Sequence, residues 1–273
     1  MNHADSHPPG SMRVTFLGTG TSTGVPVPTC DCHVCTSGDP RNRRLRPSVR
    51  IEWPGASVLV DTATDLREQA LRYEIRRIDA VLYTHAHADH VLGLDELRLY
   101  NWRQRGPIPA YGSPKTIEAL RKTFWYVFDD QPVESTKPAI ETHTVDGPFM
   151  LLGRRIVPVP LYHGSMPILG FRIGRMAYLT DVSRIPDASY RMLDGLDVLV
   201  LNALRDRPHP THLTIEQALA EAERIGARRT YLTHLSHEVE HVAHSARLPH
   251  GVDLSYDGLS LEVADDRVGR TQE

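Results

Sequence analysis

Short apolar runs and amphipathic segments alternate along this chain, and their periods predict its secondary structure. Short runs of apolar residues bounded by Gly, Pro or Asp predict strands. They fall at residues 13–17, 49–53, 57–61, 79–83, 108–111, 157–162, 168–173, 176–180, 196–201 and 230–233, with two more short strands within 254–263. Apolar positions at helical spacing predict helices. These lie at residues 66–77, 89–103, 114–125 and, opened by the capping box TIEQ at 214–217, up to Ile225.

Turn residues join two pairs of these strands into hairpins. Pro54-Gly55 separates the strands at 49–53 and 57–61, and Gly174-Arg175 separates those at 168–173 and 176–180. Strand-rich halves with intervening helices are typical of two packed sheets with helices outside. The pattern therefore predicts an α+β chain in which two mixed sheets pack face to face, an αββα sandwich.

Composition and charge exclude two classes of protein. No apolar run approaches the ~20 residues that span a membrane. Lys plus Arg number 31 against 34 Asp plus Glu, a net charge of −3, so the chain lacks the basic field of a dedicated nucleic-acid binder. Residues 1–11 have no apolar core or cleavage pattern, and we expect a disordered leader there rather than a signal peptide. With three cysteines and no signal, a reducing cytoplasm is the expected location.

The strongest chemical signal is the run THAHADH at residues 84–90, directly after an apolar run. His85 and His87 alternate, so on an extended turn both rings can face one point. Asp89 and His90 are adjacent and point in different directions, which favours a second point nearby. Imidazole and carboxylate suit Zn²⁺, with Mn²⁺ or Fe²⁺ as alternatives. Two metals about 3.5–4 Å apart form a clamp for hydrolysis, above all of phosphate esters.

Three more ligand-type residues follow downstream, each where a predicted strand ends. They are His163, Asp181 and His234. Taken singly, a histidine at a strand end is more often structural than a ligand; the order and placement together favour one site. Because its candidate ligands run from residue 85 to residue 234, we predict a single domain over residues 12–273.

HxHxDH followed by His, Asp and His in this order resembles the metallo-β-lactamase superfamily, over roughly residues 12–263. The resemblance implies that superfamily's αββα sandwich, with two metals at one edge between the sheets and a hydroxide activated between them. It also implies the ligand sets: His85, His87 and His163 for the first metal, Asp89, His90 and His234 for the second, and Asp181 as the bridge.

All three cysteines lie in the run CDCHVC, an insert near residues 30–35. A disulfide would leave an odd thiol, so Cys30, Cys32 and Cys35 are better interpreted as thiolate ligands of a structural zinc. His33 is a poor fourth ligand, because it is tied between two ligands, and we favour His237. Here the chain resembles the PhnP family of phosphodiesterases, in which three cysteines and a histidine bind a structural zinc.

That resemblance implies a phosphodiesterase with two active-site metals, Mn²⁺ or Zn²⁺, acting on a small cyclic substrate of the phosphoribosyl 1,2-cyclic phosphate kind. It places Asp89 and Asp181 in the catalytic centre and implies His212 as the general acid for the leaving oxygen. His209 competes for that role, and either ring could simply cap a helix or face solvent. A histidine near its ordinary pKa suits proton donation. A homodimer is expected because related proteins are often dimeric.

Three alternatives share parts of this pattern. A ribonuclease Z-like tRNA 3′-endonuclease shares the FLGTG opening and the seven ligands, but the residues after His163 offer no room for its usual long arm. A glyoxalase II-like thioesterase does not explain FLGTG or CxCxxC. A non-hydrolytic di-iron redox protein typically carries Glu where His87 stands, and a flavodoxin domain. We therefore expect a small-molecule substrate, and neither nucleic acid nor membrane as a partner.

Arginines cluster at residues 41–50, namely Arg41, Arg43, Arg44, Arg46 and Arg50. The plainer interpretation is a solvated loop. The sharper hypothesis is that one or two of them make bidentate contacts to a substrate phosphate.

Overall fold

The computed structural model describes residues 11–129 and 135–264. Within those ranges the strands are β1 Ser11–Gly18, β2 Ser48–Trp53, β3 Ala56–Val60, β4 Ala80–Leu82, β5 Ile108–Gly112, β6 Ile140–Thr144, β7 Phe149–Leu151, β8 Arg154–His163, β9 Met166–Ile173, β10 Met176–Leu179, β11 Val198–Asn202, β12 Arg229–Thr233, β13 Val252–Leu254 and β14 Ser260–Ala264. Ser11, assigned above to the leader, is instead the first residue of β1 and pairs with Ala264. The rest of the expected leader lies outside the described residues.

In the part of the chain that the structure describes, two seven-stranded sheets make up the framework. The first has the order β14-β1-β2-β3-β4-β5-β6 and the second the order β13-β12-β11-β10-β9-β8-β7. Strands β3 to β6 run parallel, as do β10 to β13, and the remaining pairs are antiparallel. Because the carboxyl ends of parallel strands meet at the same edge of a sheet, residues that follow these strands gather in one place.

Helices cover the outer faces. They are α1 Leu66–Arg72, α2 Ala88–Val91, α3 Leu97–Gln104, α4 Pro114–Thr123, α5 Trp125–Phe128, α6 Asp187–Tyr190, α7 Ile215–Ile225 and α8 His241–Ser245, with 3-10 turns at Pro40–Asn42, Leu92–Glu96 and Arg191–Leu193. The predicted capping box of α7 is confirmed: Thr214 accepts from the Gln217 amide, and Gln217 accepts from the Thr214 amide. In the described ranges, no helix is both long and apolar enough to cross a membrane.

Among the described residues, three apolar layers hold the sandwich together. The inner layer, between the sheets, includes Phe16, Phe171 and Tyr178. One outer layer packs α1, α3 and α4 on the first sheet, and the other packs α7 on the second. The predicted αββα sandwich of mixed sheets is therefore confirmed.

Two predicted helices are wrong in extent. The helix predicted at 66–77 ends at Arg72, and Glu74 turns away with a left-handed φ of 48°. The helix predicted at 89–103 is broken by a 3-10 turn around Gly93, whose amide donates to the Thr62 carbonyl oxygen at 3.0 Å. A Cβ on Gly93 would lie 2.2 Å from the Ala63 oxygen, so the chain passes too close to the end of β3 for any other residue.

Candidate metal centre

The seven predicted active-site ligands meet at one edge of the sandwich. His85 and His87 lie in the loop after β4, and Asp89 and His90 in α2. His163 is the last residue of β8, and the other two follow the ends of β10 and β12. The ligand atoms of His85, His87 and His163 lie within 4.8 Å of one another, and so do those of Asp89, His90 and His234. The structure thus brings together both ligand sets that the resemblance implies.

Asp181 lies where it can serve both sets. Its Oδ2 is 3.1 Å from His90 Nε2, and its Oδ1 is 3.2 Å from His234 Nε2. It also forms tight groups with His85 and with His163. A carboxylate whose two oxygens face different imidazoles is placed as a bridging ligand would be.

The buried nitrogens of this cluster fit a metal. The Nε2 atoms of His85, His90 and His234 are buried, and although two of them lie 3.1 and 3.2 Å from Asp181 oxygens, none makes a hydrogen bond of good geometry within the described ranges. An unsatisfied buried polar atom costs about 1–3 kcal/mol, so several of them in one place point to an absent partner. Imidazole and carboxylate are donors that suit divalent metals such as Zn²⁺ or Mn²⁺. His87 is exposed and marks the side open to solvent.

Electrostatics keep the carboxylates of the cluster ionised. Burial opposes ionisation of Asp181, but the imidazoles of His234 and His90 hold its pKa well below the usual range. Burial likewise opposes ionisation of Asp89, and His90 and His234 more than offset it, so its pKa is also lowered. Both side chains therefore carry the negative charge that a metal ligand needs.

A second ring of contacts orients the ligands, and the sequence analysis missed it. Asp61 is fully buried and accepts from His90 Nδ1 at 2.7 Å and from the Thr84 amide and hydroxyl at 2.8 Å each. The Thr211 carbonyl oxygen accepts from His163 Nδ1 at 2.8 Å. Both contacts put the proton on Nδ1 and leave Nε2 for a metal. Asp61 could have been noticed, because it ends a predicted strand, as Asp181 does.

The two candidate proton donors differ in position. The ring of His212 is buried, 4.7 Å from the ring of His163 and 4.8 Å from that of His234, and its Nδ1 is 3.7 Å from Asp181 Oδ1. The ring of His209 stands behind it, 4.9 Å away. Burial lowers the pKa of His212 to about 3, so the expectation of an ordinary histidine pKa there is wrong. Position nevertheless favours His212, which alone of the two touches the ligands.

A second cluster unites the three cysteines with His237. The Nδ1 atom of His237 lies 3.2 Å from Cys30 Sγ, 3.5 Å from Cys32 Sγ and 3.6 Å from Cys35 Sγ. Tetrahedral zinc with bonds of about 2.3 Å to sulfur and about 2.0 Å to nitrogen would separate such atoms by roughly 3.5 Å. The residues therefore fit a zinc ion, whereas His33 is exposed and is not part of the cluster.

Thiol chemistry in this cluster also suits a metal. The Cys35 amide donates to Cys32 Sγ and, against the effect of burial, lowers the pKa of Cys32 to about 6. Burial raises the pKa of Cys35 to about 11. Opposite shifts on neighbouring thiols are expected where like charges would otherwise meet, and a divalent cation removes that conflict.

The arginine cluster has structural partners. Arg44 is 1% exposed and donates to the carbonyl oxygens of Ser236 and Val239 at 3.0 and 2.8 Å, on either side of His237. Arg44 therefore fits neither the interpretation as a solvated loop nor the hypothesis of a contact to a substrate phosphate. Arg46 pairs with Asp65 at 2.9 Å and donates to the Ser22 oxygen. Arg41 pairs with Asp39 at 2.8 Å.

Comparison with known proteins agrees with this geometry. A model of the beta-lactamase superfamily domain matches residues 56–235. Together with the sandwich and its His/Asp cluster, this shows that the chain belongs to the metallo-β-lactamase superfamily. A solved structure described as a new diphosphatase from the PhnP family is 46% identical, with a TM-score of 0.88, over 93% of this chain and 98% of that one. Within the superfamily, the chain belongs to the PhnP family.

Two curated relatives widen the comparison. An octanoyltransferase of Porphyromonas gingivalis is 40% identical over 92% of this chain but only 52% of its own length, so the chain spans about half of that relative. A ribonuclease Z of Mycobacterium bovis is 26% identical over 82% of this chain and 85% of that protein. The family match, the fold and the site together define a member of the metallo-β-lactamase superfamily with side-chain clusters suited to divalent metals.

Proposed function

We propose that this protein is a dinuclear hydrolase, a phosphodiesterase acting on a small phosphodiester of the kind found in a phosphoribosyl 1,2-cyclic phosphate. The observation that carries the proposal is the pair of ligand sets that share Asp181 at one edge of the sandwich. Two divalent metals there, Mn²⁺ or Zn²⁺, would lower the pKa of water and neutralise charge on phosphorus-bound oxygens. A structural zinc would occupy the cluster of three cysteines and His237.

The chain's own residues supply the remaining chemistry. Asp61 and the Thr211 carbonyl hold His90 and His163 in one tautomer. His212 would protonate the leaving oxygen from Nδ1, an atom that makes no hydrogen bond within the described residues and faces the cluster. Because burial keeps this ring neutral at pH 7, it has to take up a proton first, and the negative charge of a bound phosphodiester favours that uptake. An alkoxide leaving group needs that proton, and such help is worth typically 10²–10⁴-fold in rate.

The strands around the site favour a small substrate over tRNA. Between His163 and Asn202, strands β8, β9, β10 and β11 are joined by short turns and by α6 with its 3-10 turn. In this described segment there is no long arm that could hold a tRNA. The net charge of −3 also supports a small substrate.

A diphosphate link is the second candidate bond. It is favoured by the description of the PhnP-family relative as a diphosphatase. Attack on phosphorus and departure of an oxygen are common to both substrates, so the same residues would serve. The two candidates differ only in the group that leaves.

Substrate assays on the metal-loaded protein test the proposal. The substrates compared would be bis(p-nitrophenyl) phosphate, a nucleoside 2′,3′-cyclic phosphate, a dinucleoside diphosphate and a pre-tRNA. Metal content would be measured in the same preparation. We expect turnover of a diester that chelation abolishes. Cleavage of pre-tRNA alone would favour the ribonuclease, and bound iron without any hydrolysis would favour the redox protein.

Asp181→Ala provides the matching variant. Removing the carboxylate shared by both ligand sets should lower the bound metal by at least one ion per chain and abolish diesterase activity. Asp253→Ala, which breaks only an exposed ion pair with Arg229, serves as the control. Near-normal turnover by Asp181→Ala with two active-site metals bound would show that the ligand assignment is wrong.

A further inference from the structure

The segment at residues 205–212, here called the histidine loop, carries His209, Thr211 and His212. Its base is closed by backbone: the Leu204 amide donates to Leu213 at 3.0 Å, and the Leu213 amide donates to Val182 at 2.9 Å. The tip, residues 206–208, is exposed. Backbone pairing at the base therefore does not by itself fix where the rings of the loop stand.

Glu238 holds this loop through two arginines. It accepts from Arg205 Nη1 at 2.8 Å and from Arg207 Nε and Nη2, both at 2.8 Å. The contact to Arg207 is bidentate, and charge-assisted bidentate pairs add geometric specificity as well as attraction. Arg205 also donates to carbonyl oxygens of Arg207 and Pro208, which closes the loop on itself.

The other end of this contact is anchored at the cysteine cluster. Glu238 directly follows His237, whose ring meets the three thiols. Arg44 binds the carbonyl oxygens of Ser236 and Val239, one residue before and two residues after that ring. Glu238 thus stands on a segment that is fixed from both sides.

We infer that Glu238 is a positioning residue that couples the zinc-type cluster of Cys30, Cys32, Cys35 and His237 to the proton donor His212. The path runs from His237 to Glu238, then through Arg205 and Arg207 into the histidine loop. The part concerning proton donation rests on the proposed function. The part concerning the order of the loop rests on the contacts alone.

Besides the Thr211 carbonyl, which accepts from His163, a further tether of the same loop supplies a matched control. Asp206 at the tip pairs with Arg247 beyond α8 at 2.9 Å. That pair involves neither His237 nor the arginines that Glu238 binds, and both side chains are more than half exposed. Arg247→Ala therefore removes a tether of the loop without touching the proposed path.

Hydrogen–deuterium exchange tests the coupling without any activity. Glu238→Gln and Cys32→Ser should each raise exchange at residues 205–213 at least several-fold, whereas Arg247→Ala should affect only amides at the tip. Unchanged exchange at residues 209–213 in Cys32→Ser, in protein shown to have lost its zinc, would overturn the inference. So would equal exchange in Glu238→Gln and Arg247→Ala.

Leaving-group dependence tests the positioning itself. The ratio of turnover for an alkyl diester to that for bis(p-nitrophenyl) phosphate should fall about 10-fold or more in Glu238→Gln, in the same direction as in His212→Ala, because p-nitrophenolate departs with little need of a proton. The double variant should show no lower ratio than His212→Ala alone. Equal slowing of both substrates by Glu238→Gln, with loss of active-site metal, would mean a merely structural role.

Failure of the proposed function and failure of the positioning role of Glu238 would give different results. If the wild type hydrolyses no diester, or His212→Ala leaves the ratio unchanged, the proposed function or its proton donor is wrong, while the exchange data still decide the coupling. If both hold and Glu238→Gln keeps the wild-type ratio, only the positioning role of Glu238 is overturned.

Discussion

Three residues at the metal edge adopt a backbone conformation that L-residues rarely accept. Asp61, Asp181 and His234 have φ values of 64°, 57° and 60°. Each directly follows a strand or lies within two residues of its end, and each turns its side chain into the cluster. Such a conformation costs of the order of 1–3 kcal/mol and persists where the surroundings over-determine it. Glycine would relieve the backbone but would remove the group that the site needs.

Asp61 provides a test of the ligand geometry from outside the ligand set. Asp61→Asn keeps the shape but loses the charge that faces His90 Nδ1 and the Thr84 hydroxyl. Loss of such an outer contact typically costs 10–100-fold in metal affinity or activity. We expect a drop of that size, measured by competition with a metal-binding dye, while circular dichroism stays unchanged. If Asp61→Asn bound metal with the same affinity as the control variant Asp253→Asn, Asp61 would not orient His90.

The positions of the candidate ligands could be predicted from the sequence, whereas of their outer contacts only Asp61, at the end of a predicted strand, left a signal there. The spacing in THAHADH and the three positions at strand ends are enough to place the candidate ligands together, because the carboxyl ends of parallel strands meet at one edge of a sheet. Asp61 and the Thr211 carbonyl depend on which loop lies beside which strand end. A backbone oxygen also has no signature in the sequence. The pKa of His212 was mispredicted for a related reason, since burial is a property of the assembled site.

At the scale of the elements, the segment after β4 shows how packing overrides periodicity. Apolar residues at helical spacing favour one helix at 89–103, yet α2 ends at Val91 and α3 begins at Leu97. Gly93 lets the chain pass against the end of β3, where the Thr62 carbonyl accepts its amide hydrogen. The break allows α2, which carries Asp89 and His90, to take its own direction toward the metal edge. The spacing of apolar residues alone cannot reveal such a close approach of two backbone segments.

Gly93→Ala tests this break. A Cβ there would lie 2.2 Å from the Ala63 oxygen and 2.7 Å from Leu66 Cβ, so backbone has to move. Overpacking of this kind typically costs 1–3 kcal/mol or more. We expect that loss in urea unfolding, together with weaker metal binding because α2 shifts. Gly106→Ala is the control, since its Cβ would meet nothing within 4 Å. Equal stability of the two variants would contradict the packing argument.

At the scale of the whole molecule, both metal-type clusters join parts that are distant in sequence. The active-site cluster takes His85 to His90 from the first sheet, and His163, Asp181 and His234 from the second. The cysteine cluster ties the segment before β2 to the segment after β12. Anything that binds such clusters only in the folded state adds its binding free energy to stability. The metals would therefore hold the sandwich together at the edge where the chemistry occurs.

Cys32→Ser separates the two clusters by their effects. Loss of one thiolate should release the zinc of the cysteine cluster and lower the Tm by several degrees, since 1 kcal/mol corresponds to about 2–4 °C for a chain of roughly this size. Hydrolysis of bis(p-nitrophenyl) phosphate should fall much less, because the seven active-site ligands are untouched. Metal analysis should show three ions per chain in the wild type and two in the variant. His33→Ala is the matched control: this exposed histidine lies within the same CxCxxC run but outside the cluster, so its Tm and metal content should equal those of the wild type. Two ions per chain in a fully active wild type, or a Tm that Cys32→Ser leaves unchanged, would rule out a structural zinc at this position.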